Sequence, residues 1–308
     1  MYCSDRKEDK IMVGKQERRY QRMITVVLAL ISLIMVIPLV LLVVASFTSN
    51  NEIVLDGYSF FPKELSLEAY RYIWNERAQV FHAYGITILV TAIGTTIGVM
   101  MTLLYAYVLA HEKFPGKTFL AFYLFFTMLF NGGLVPTYIM YTRYLHMKNT
   151  IPALIIPGLL MSAFNVILTR TYIQSNVPAA LSEAAKIDGA TEFQVFRKVV
   201  LPMCKPIIAT VGLFAGLGYW NDWTNGLYYI TDTNKFSIQQ LLNNMIKNIE
   251  FLSKNANSNI NLASVGGGIP QETVRMAIAI VGLLPILIVF TFVQKYFVKG
   301  ISIGAVKG

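Results

Sequence analysis

The run 219–223, Tyr-Trp-Asn-Asp-Trp, places aromatic and polar side chains next to one another in a chain of 308 residues. Aromatic rings can stack on the faces of sugar rings, and amide or carboxylate groups can hydrogen-bond to sugar hydroxyls. Tyr219, Trp220, Asn221 and Asp222 are therefore candidate contacts for a carbohydrate. Trp and Tyr are also enriched where helices meet the membrane surface without any ligand. The sequence leaves this anchoring role open as the alternative.

A second informative group lies in the polar segment 174–204, which separates two strongly apolar stretches. Pro178 can occupy the first turn of a helix without losing a useful donor. The residues that follow it favour a helix through Ile187. Asp188 and Gly189 are poor helix residues, so the first helix is predicted to end there.

A second short helix is predicted directly after Gly189. Thr191 offers a side-chain oxygen as a helix cap, and Gln194 stands three residues later, which is a capping-box pattern. This helix should run through Val199 and end at Pro202. The product is an elbow of two short helices, which can move together with a protein that binds it. The alternative is a helix lying on a bilayer, which the slight apolar face disfavours.

The sequence does not offer the residues that phosphate binding, metal binding or catalysis would require. Gly266–Gly268 is followed by no Lys-Ser/Thr, as a phosphate-binding loop would require. The three His residues stand at the edges of apolar blocks, and the two Cys residues, Cys3 and Cys204, form no disulfide framework or metal cluster. No nucleophile with a base and no carboxylate pair is evident, so we expect neither catalytic residues nor a bound metal or cofactor.

Apolar residues occur in long blocks, which indicates a membrane protein. Hydrophobic residues make up 55% of the chain and charged residues 14%, whereas soluble domains are about a quarter charged. Each block is close to or longer than the roughly 20 residues that a helix needs to cross the hydrocarbon core. The blocks are 24–47, 83–110, 118–142, 149–169, 206–231 (interrupted only by Asp222) and 276–294. The expected fold is an all-α membrane protein with six transmembrane helices.

The basic residues predict the orientation, because Lys and Arg near the ends of spans stay in the cytoplasm. With the N-terminus inside, 17 of the 26 Lys and Arg residues fall in inner segments. Both termini and the elbow are therefore expected in the cytoplasm. The net charge of +9 then reflects topology and gives no reason to expect a nucleic-acid partner. A cleavable signal is the alternative for 24–47, but the apolar part of a signal is only about 7–15 residues long.

The residues of the elbow also carry a resemblance to a known family. Glu183, Ala184, Ala185 and Gly189, followed after nine intervening residues by Val199 and then by Leu-Pro, resemble the signature loop of the membrane subunits of ABC importers. The family usually has Ile where Val199 stands. The resemblance implies that these four residues lie in or beside the contact with a separate ATP-binding subunit.

Further stretches are similar to one branch of that family. The cluster 220–223, the ending 296–308 and the long segment before the last span look like the carbohydrate-uptake branch, close to the maltose-type second permease. Segment 130–137, Phe-Asn-Gly-Gly-Leu-Val-Pro-Thr, looks like the group that imports oligosaccharides derived from polysaccharides. In that branch the tail, here 304–308, reaches between the ATPase subunits; a frayed terminus is the alternative.

The resemblance implies a type I ABC importer permease fold in a bacterial cytoplasmic membrane. ATP and Mg would be bound by the partner ATPase, not by this chain. Further implied partners are a second, non-identical permease, an extracellular solute-binding protein, a carbohydrate substrate and membrane lipid. An ion-coupled secondary transporter is the alternative, but it should carry ionisable groups within its spans. A non-transport scaffold would leave the elbow unexplained.

These expectations divide the chain into segments. A basic cytoplasmic tail is followed by the first span, an extracellular segment, the permease core and a Gly-rich cytoplasmic tail. The core contains the cytoplasmic coupling loop 174–204 and the extracellular segment 232–274. The segments in chain order are 1–23, 24–47, 48–81, 82–298 and 299–308.

Overall fold

The computed structural model describes residues 15–111, 114–256 and 271–305. Within these ranges the chain is helical and contains no strand, only one isolated antiparallel bridge between Thr48 and Leu65. The Gly triplet 266–268, residues 1–14 and the last three residues lie outside the described ranges. The chain divides into two compact units, one formed by residues up to 70 with 270–277 and the other by 71–269 with 278–308.

Fifteen α-helices are defined here within the described ranges. They are α1 Lys15–Ser46, α2 Asn50–Asp56, α3 Glu68–Asn75, α4 Arg77–Ala110, α5 Lys117–Leu129, α6 Leu134–Ile139, α7 Pro152–Ile155, α8 Ala163–Asn176, α9 Ala179–Ile187, α10 Glu192–Val195, α11 Leu201–Met203, α12 Lys205–Asn221, α13 Thr224–Tyr229, α14 Ile238–Ala256 and α15 Gln271–Ala305. Two π-helical turns, Met140–Tyr144 and Phe196–Val200, and a 3-10 turn, Thr233–Lys235, complete the described secondary structure.

The smaller unit is organised around the end of α1. The Glu52 carboxylate accepts the backbone N–H groups of Lys63 and Glu64, both at 2.9 Å, and so closes the loop after α2. The ring of Phe47 stacks on that of Tyr70, with centroids 4.8 Å apart. The apolar side chains along α1 are exposed in the isolated chain. A helix of this kind is stable only when lipid or another protein covers it.

The larger unit is built around α4, which packs against α8 and α12. Small residues permit this approach. A Cβ added at Gly94 would overlap the ring of Tyr219, and one added at Gly98 would lie 2.6 Å from the carbonyl oxygen of Leu160. Glycine at these two positions thus allows close helix contact.

Long apolar helices are fewer than the six predicted spans. Three helical stretches, Arg19–Ser46, Arg77–Ala110 and Gln271–Thr291, are long and apolar enough to cross a membrane. Two bent pairs raise the number to five among the described residues: Lys117–Leu129 with Leu134–Tyr144, bent by 113°, and Glu192–Met203 with Lys205–Asn221, bent by 81°.

The block 149–169 does not form the expected continuous helix. α7 ends at Ile155, and the helix resumes only at Ala163. Pro157 lacks a backbone donor, and Gly158 next to it has a φ of +71°, which other residues rarely adopt. The pair breaks the helix. A second break lies between α5 and α6, where Gly133 has a φ of +82° and its N–H donates to Asn131 Oδ1 at 2.8 Å.

Candidate functional site

The first helix of the elbow (179–203) ends as the sequence predicts. α9 runs from Ala179 to Ile187, and Gly189 has a φ of +85°. The N–H of Gly189 donates to Lys186 O at 3.0 Å, and the N–H of Ala190 donates to Ala185 O at 2.9 Å. This pair of bonds is the Schellman motif, in which a left-handed residue satisfies the last carbonyls of a helix. The turn therefore depends on a glycine at position 189.

The second helix starts with the capping box that the sequence predicts. Thr191 Oγ1 accepts the N–H of Gln194 at 3.4 Å, and Gln194 Oε1 accepts the N–H of Thr191 at 2.9 Å. The helix continues as a π-helical turn through Val200 and as α11 to Met203. It thus extends one residue beyond Pro202 and turns into α12 at Cys204. Local hydrogen bonds fix both arms of the elbow.

The inner face of the elbow is anchored in the core of the larger unit. Val195 and Phe196 are buried, and Ala185 is half-buried against the same cluster. The ring of Phe196 lies 5.2 Å from that of Tyr107 on α4. The elbow therefore packs against the helices of the larger unit.

A polar cluster that the sequence analysis missed ties both arms to α4. The Glu192 carboxylate forms an ion pair with Lys186 of the first arm and accepts a hydrogen bond from Tyr107 Oη at 3.0 Å. His111 Nε2 lies 3.8 Å from the same carboxylate and 3.4 Å from Lys186 Nζ. No sequence spacing shows these partners, because Lys186 and Glu192 lie on opposite sides of the Gly189 turn and Tyr107 is 85 residues away.

The outer face of the elbow is exposed. Glu183, Ala184 and Gly189 are all on the surface, and no atom lies within 4 Å of a Cβ added at Gly189. Glu183 has no ion pair in the part of the chain that the structure describes. Beside these residues, Ile187 is 87% exposed and Phe193 is 66% exposed. Each of these two side chains offers apolar surface that a partner could cover.

The aromatic cluster 219–223 is distributed over two environments. Tyr219 is buried, and its hydroxyl donates to the carbonyl oxygen of Ile155 at 2.9 Å. Trp220 is half-buried, and its Nε1 donates to Gly282 O at 3.5 Å. Both side chains thus hold helices together in the isolated chain. Their predicted sugar contacts are not tested by this geometry.

Asn221 and Asp222 end α12. Asn221 is exposed, and its Nδ2 donates to Leu217 O at 3.0 Å, which leaves the amide oxygen open. Asp222 Oδ1 accepts the N–H groups of Thr224 at 3.1 Å and Asn225 at 3.3 Å, and it thereby caps α13. These two bonds partly compensate for the cost of placing a carboxylate near the hydrocarbon.

This chain is similar to a known protein family and to several of its members. The family model described as "Binding-protein-dependent transport system inner membrane component" matches residues 94–303. The polygalacturonan/rhamnogalacturonan transport system permease protein of Bacillus subtilis is 35% identical over 95% of this chain and 100% of its own length. The arabinooligosaccharides transport system permease protein of Halalkalibacterium halodurans is 26% identical over 93% of this chain and 96% of its own length.

A solved structure agrees with these relatives. One chain of a bacterial ABC transporter involved in the import of the acidic polysaccharide alginate superposes with a TM-score of 0.73 at 27% sequence identity. The match covers 92% of this chain and 98% of that chain. The type I ABC permease fold expected from the resemblance is thus that of the structural neighbour, and the family match spans the elbow, α12 and the outer cluster. The chain belongs to the inner membrane components of binding-protein-dependent transport systems.

Proposed function

We propose that this chain is the permease subunit of an ATP-driven importer of oligosaccharides and that its elbow docks on a separate ATPase. The observation that carries the proposal is the two-sided elbow. One side is packed on α4 and α12, and the other side exposes Glu183, Ala184, Gly189 and an apolar edge. A rigid body fixed to the transmembrane helices can transfer a movement of the ATPase to them.

Glu183, Ala184, Ala185 and Gly189 have different positions in this proposed contact. Ala184 and Gly189 lie on the exposed side, where the absence of a large side chain allows a partner to come close. Glu183 is available for a basic group of the partner. Ala185 is half-buried, so its small side chain serves the packing of the elbow on the core. Ile187 and Phe193 add apolar area to the contact.

The membrane topology belongs to the same proposal. Six crossings result if the interrupted stretch formed by α7 and α8 also crosses the membrane. A break at membrane depth is tolerated where protein buries it or where it lines a water-filled cavity, and Pro157 in this break is buried. Both termini and the elbow would lie in the cytoplasm. A second, non-identical permease and lipid would cover the exposed helices, including α1, and a solute-binding protein would deliver the sugar outside.

An oligosaccharide cargo is supported by the relatives, whose names include polygalacturonan, rhamnogalacturonan and arabinooligosaccharides. It is also supported by the exposed amide of Asn221 at the end of α12. The proposal is tested in proteoliposomes that hold this chain with its partner permease, its ATPase and its binding protein. We expect uptake of an oligosaccharide that requires ATP and the ATPase subunit. Uptake that persists without ATP and follows an ion gradient would support the secondary-transporter alternative instead.

Topology is tested separately with single cysteines in a chain that lacks Cys3. Lys198→Cys on the elbow and Leu55→Cys in the outer segment are both at exposed positions. An impermeant thiol reagent added to intact cells should label only the second. Cys204 is buried, and the variant without added cysteines measures its background. Labelling of both positions from outside would contradict the six-span arrangement.

A further inference from the structure

A groove of about 300 Å³ lies between the end of α12, α14 and α15. Its floor is apolar and includes Leu242, Ile278 and Gly282. Its rim carries one indole ring, that of Trp223, and the amide side chains of Asn221, Gln239 and Asn243. An apolar floor with a few convergent polar groups and an aromatic ring is the usual lining of a small-molecule site.

The amide of Asn221 keeps only its oxygen open, because its Nδ2 donates to Leu217 O at 3.0 Å, whereas Gln239 and Asn243 differ from it and from their buried neighbour Gln240. Gln240, which follows Gln239 in the sequence, is buried, and its Nε2 donates to Gly226 O at 2.9 Å and to Ile230 O at 3.3 Å. Gln239 and Asn243, on the groove side of α14, form no side-chain hydrogen bond with any residue in the described ranges. Each offers a donor and an acceptor, which is what adjacent sugar hydroxyls require.

The groove is held in shape by bonds at its edges. The N–H of Ile238, at the start of α14, donates to Thr87 Oγ1 at 2.8 Å. Ser237 Oγ donates to Asp222 O at 3.3 Å, and Trp220 donates to Gly282 on α15. Because these three contacts join α14 and α15 to α4 and α12, the open amides project from a fixed frame. A preorganised site loses less entropy when a ligand binds.

A positively charged side chain, that of Lys247, lies beside the Trp223 ring. Lys247 continues the row of Gln239 and Asn243 at four-residue spacing along one face of α14. Its Nζ lies 5.7 Å from the centroid of the Trp223 ring. Lys247 is exposed and forms no ion pair with a carboxylate among the residues that the structure describes. The groove therefore combines a stacking surface with open amide groups, and beside it lies a lysine that has no carboxylate partner among the described residues.

We propose that this groove is a subsite for an acidic oligosaccharide, with Trp223 stacking on a sugar ring, the amides of Asn221, Gln239 and Asn243 bonding its hydroxyls, and Lys247 binding a uronate carboxylate. This inference rests on the proposed function, since it concerns the sugar that the importer carries. A neutral sugar would use the ring and the amides but would leave the ammonium group without a role.

The test compares an acid with its own neutral derivative. Proteoliposomes with the complete importer are given short uronic-acid oligosaccharides prepared from polygalacturonan or alginate, and the same oligosaccharides as methyl esters. Every variant is measured with the same saturating binding protein, so a change in the ratio of the two maximal rates comes from the permease. For Lys247→Gln we expect acid uptake to fall about fivefold at low salt, the upper range for an exposed ionic contact, with ester uptake unchanged. The fall should shrink as salt screens the charge.

Two further variants provide a positive and a matched control. Trp223→Ala should lower uptake of acid and ester alike, since stacking does not depend on the carboxylate. Lys148→Gln removes an exposed lysine outside the groove and should leave both rates unchanged.

Equal effects of Lys247→Gln on acid and ester, or no effect on either, would overturn the inference. Import of neutral oligosaccharides alone by the unmodified complex would also overturn it but leave the proposed function intact. ATP-dependent uptake of no oligosaccharide at all would contradict the proposed function itself.

Discussion

The elbow and the outer cluster 219–223 both contain apolar and polar side chains, but they place them in opposite environments. In the elbow, backbone and capping bonds are satisfied within about a dozen residues, and the apolar side chains Ile187 and Phe193 remain exposed. In the outer cluster, Tyr219 is buried and bonded to a carbonyl 64 residues away. The turns of the first region are fixed locally, while its inner side packs on α4 and its outer side stays exposed. The second joins distant helices and leaves only its last residues, Asn221 and Trp223, open.

This difference indicates where function and stability should separate. Changes on the exposed side of the elbow should leave the protein assembled and disturb its connection to the ATPase. Changes to the buried part of the outer cluster should weaken the fold before they alter any choice of sugar. The substitutions below test this separation in the order of their expected effect.

Replacement of Gly189 should have the largest effect on transport. A φ of +85° strains any β-branched side chain by roughly 1–3 kcal/mol, and Gly189→Val would also fill open space at the proposed contact. We expect a normal amount of subunit in the membrane and at least a tenfold loss of uptake. The matched control is Gly85→Val, another open glycine without a positive φ. Full transport by Gly189→Val would remove the functional role of the turn.

Loss of the Tyr219 side chain should have the largest effect on stability. Tyr219→Ala leaves a cavity against Gly94 and should cost about 3–5 kcal/mol, as large aromatic truncations do. Tyr219→Phe loses only the bond to Ile155 O and should cost about 1 kcal/mol. Thermal unfolding of the purified complex in detergent measures both. If Tyr219→Ala keeps the unfolding temperature and changes only sugar preference, the ring belongs to the transport path.

The sequence predicts those features of the two regions whose contacting residues lie close together along the chain. The Gly189 stop and the Thr191–Gln194 capping box were predicted because every partner lies within a few residues. The position of Tyr219 and the partners of Glu192 were not, since they depend on helices far apart in sequence. Proline alone does not determine a break: Pro38 and Pro285 lie inside helices, whereas Pro157 with a left-handed Gly158 breaks one. The contacts of the elbow with its partner stay a prediction.

Disruption of the Glu192 cluster should have the smallest effect. Glu192 and Lys186 are partly exposed, with side-chain exposures of 61% and 37%, so their ion pair contributes about 0–1 kcal/mol. Glu192→Gln should reduce sugar uptake per ATP hydrolysed by less than about fivefold. Lys186→Met should act similarly, and the double variant should be no worse than either single one. Fully additive effects would show that the two side chains act separately.

The most direct test is a crosslink from two neighbouring alanines of the elbow. Ala184 is exposed, whereas Ala185 is half-buried against the core. In a chain without Cys3, Ala184→Cys and Ala185→Cys are each combined with cysteines on the surface of the ATPase subunit, and crosslinking is measured in the assembled importer. Docking of the elbow predicts a strong crosslink from Ala184→Cys that varies with the ATP state, and little or none from Ala185→Cys. No crosslink from position 184, in an importer that still transports, would contradict the proposed contact.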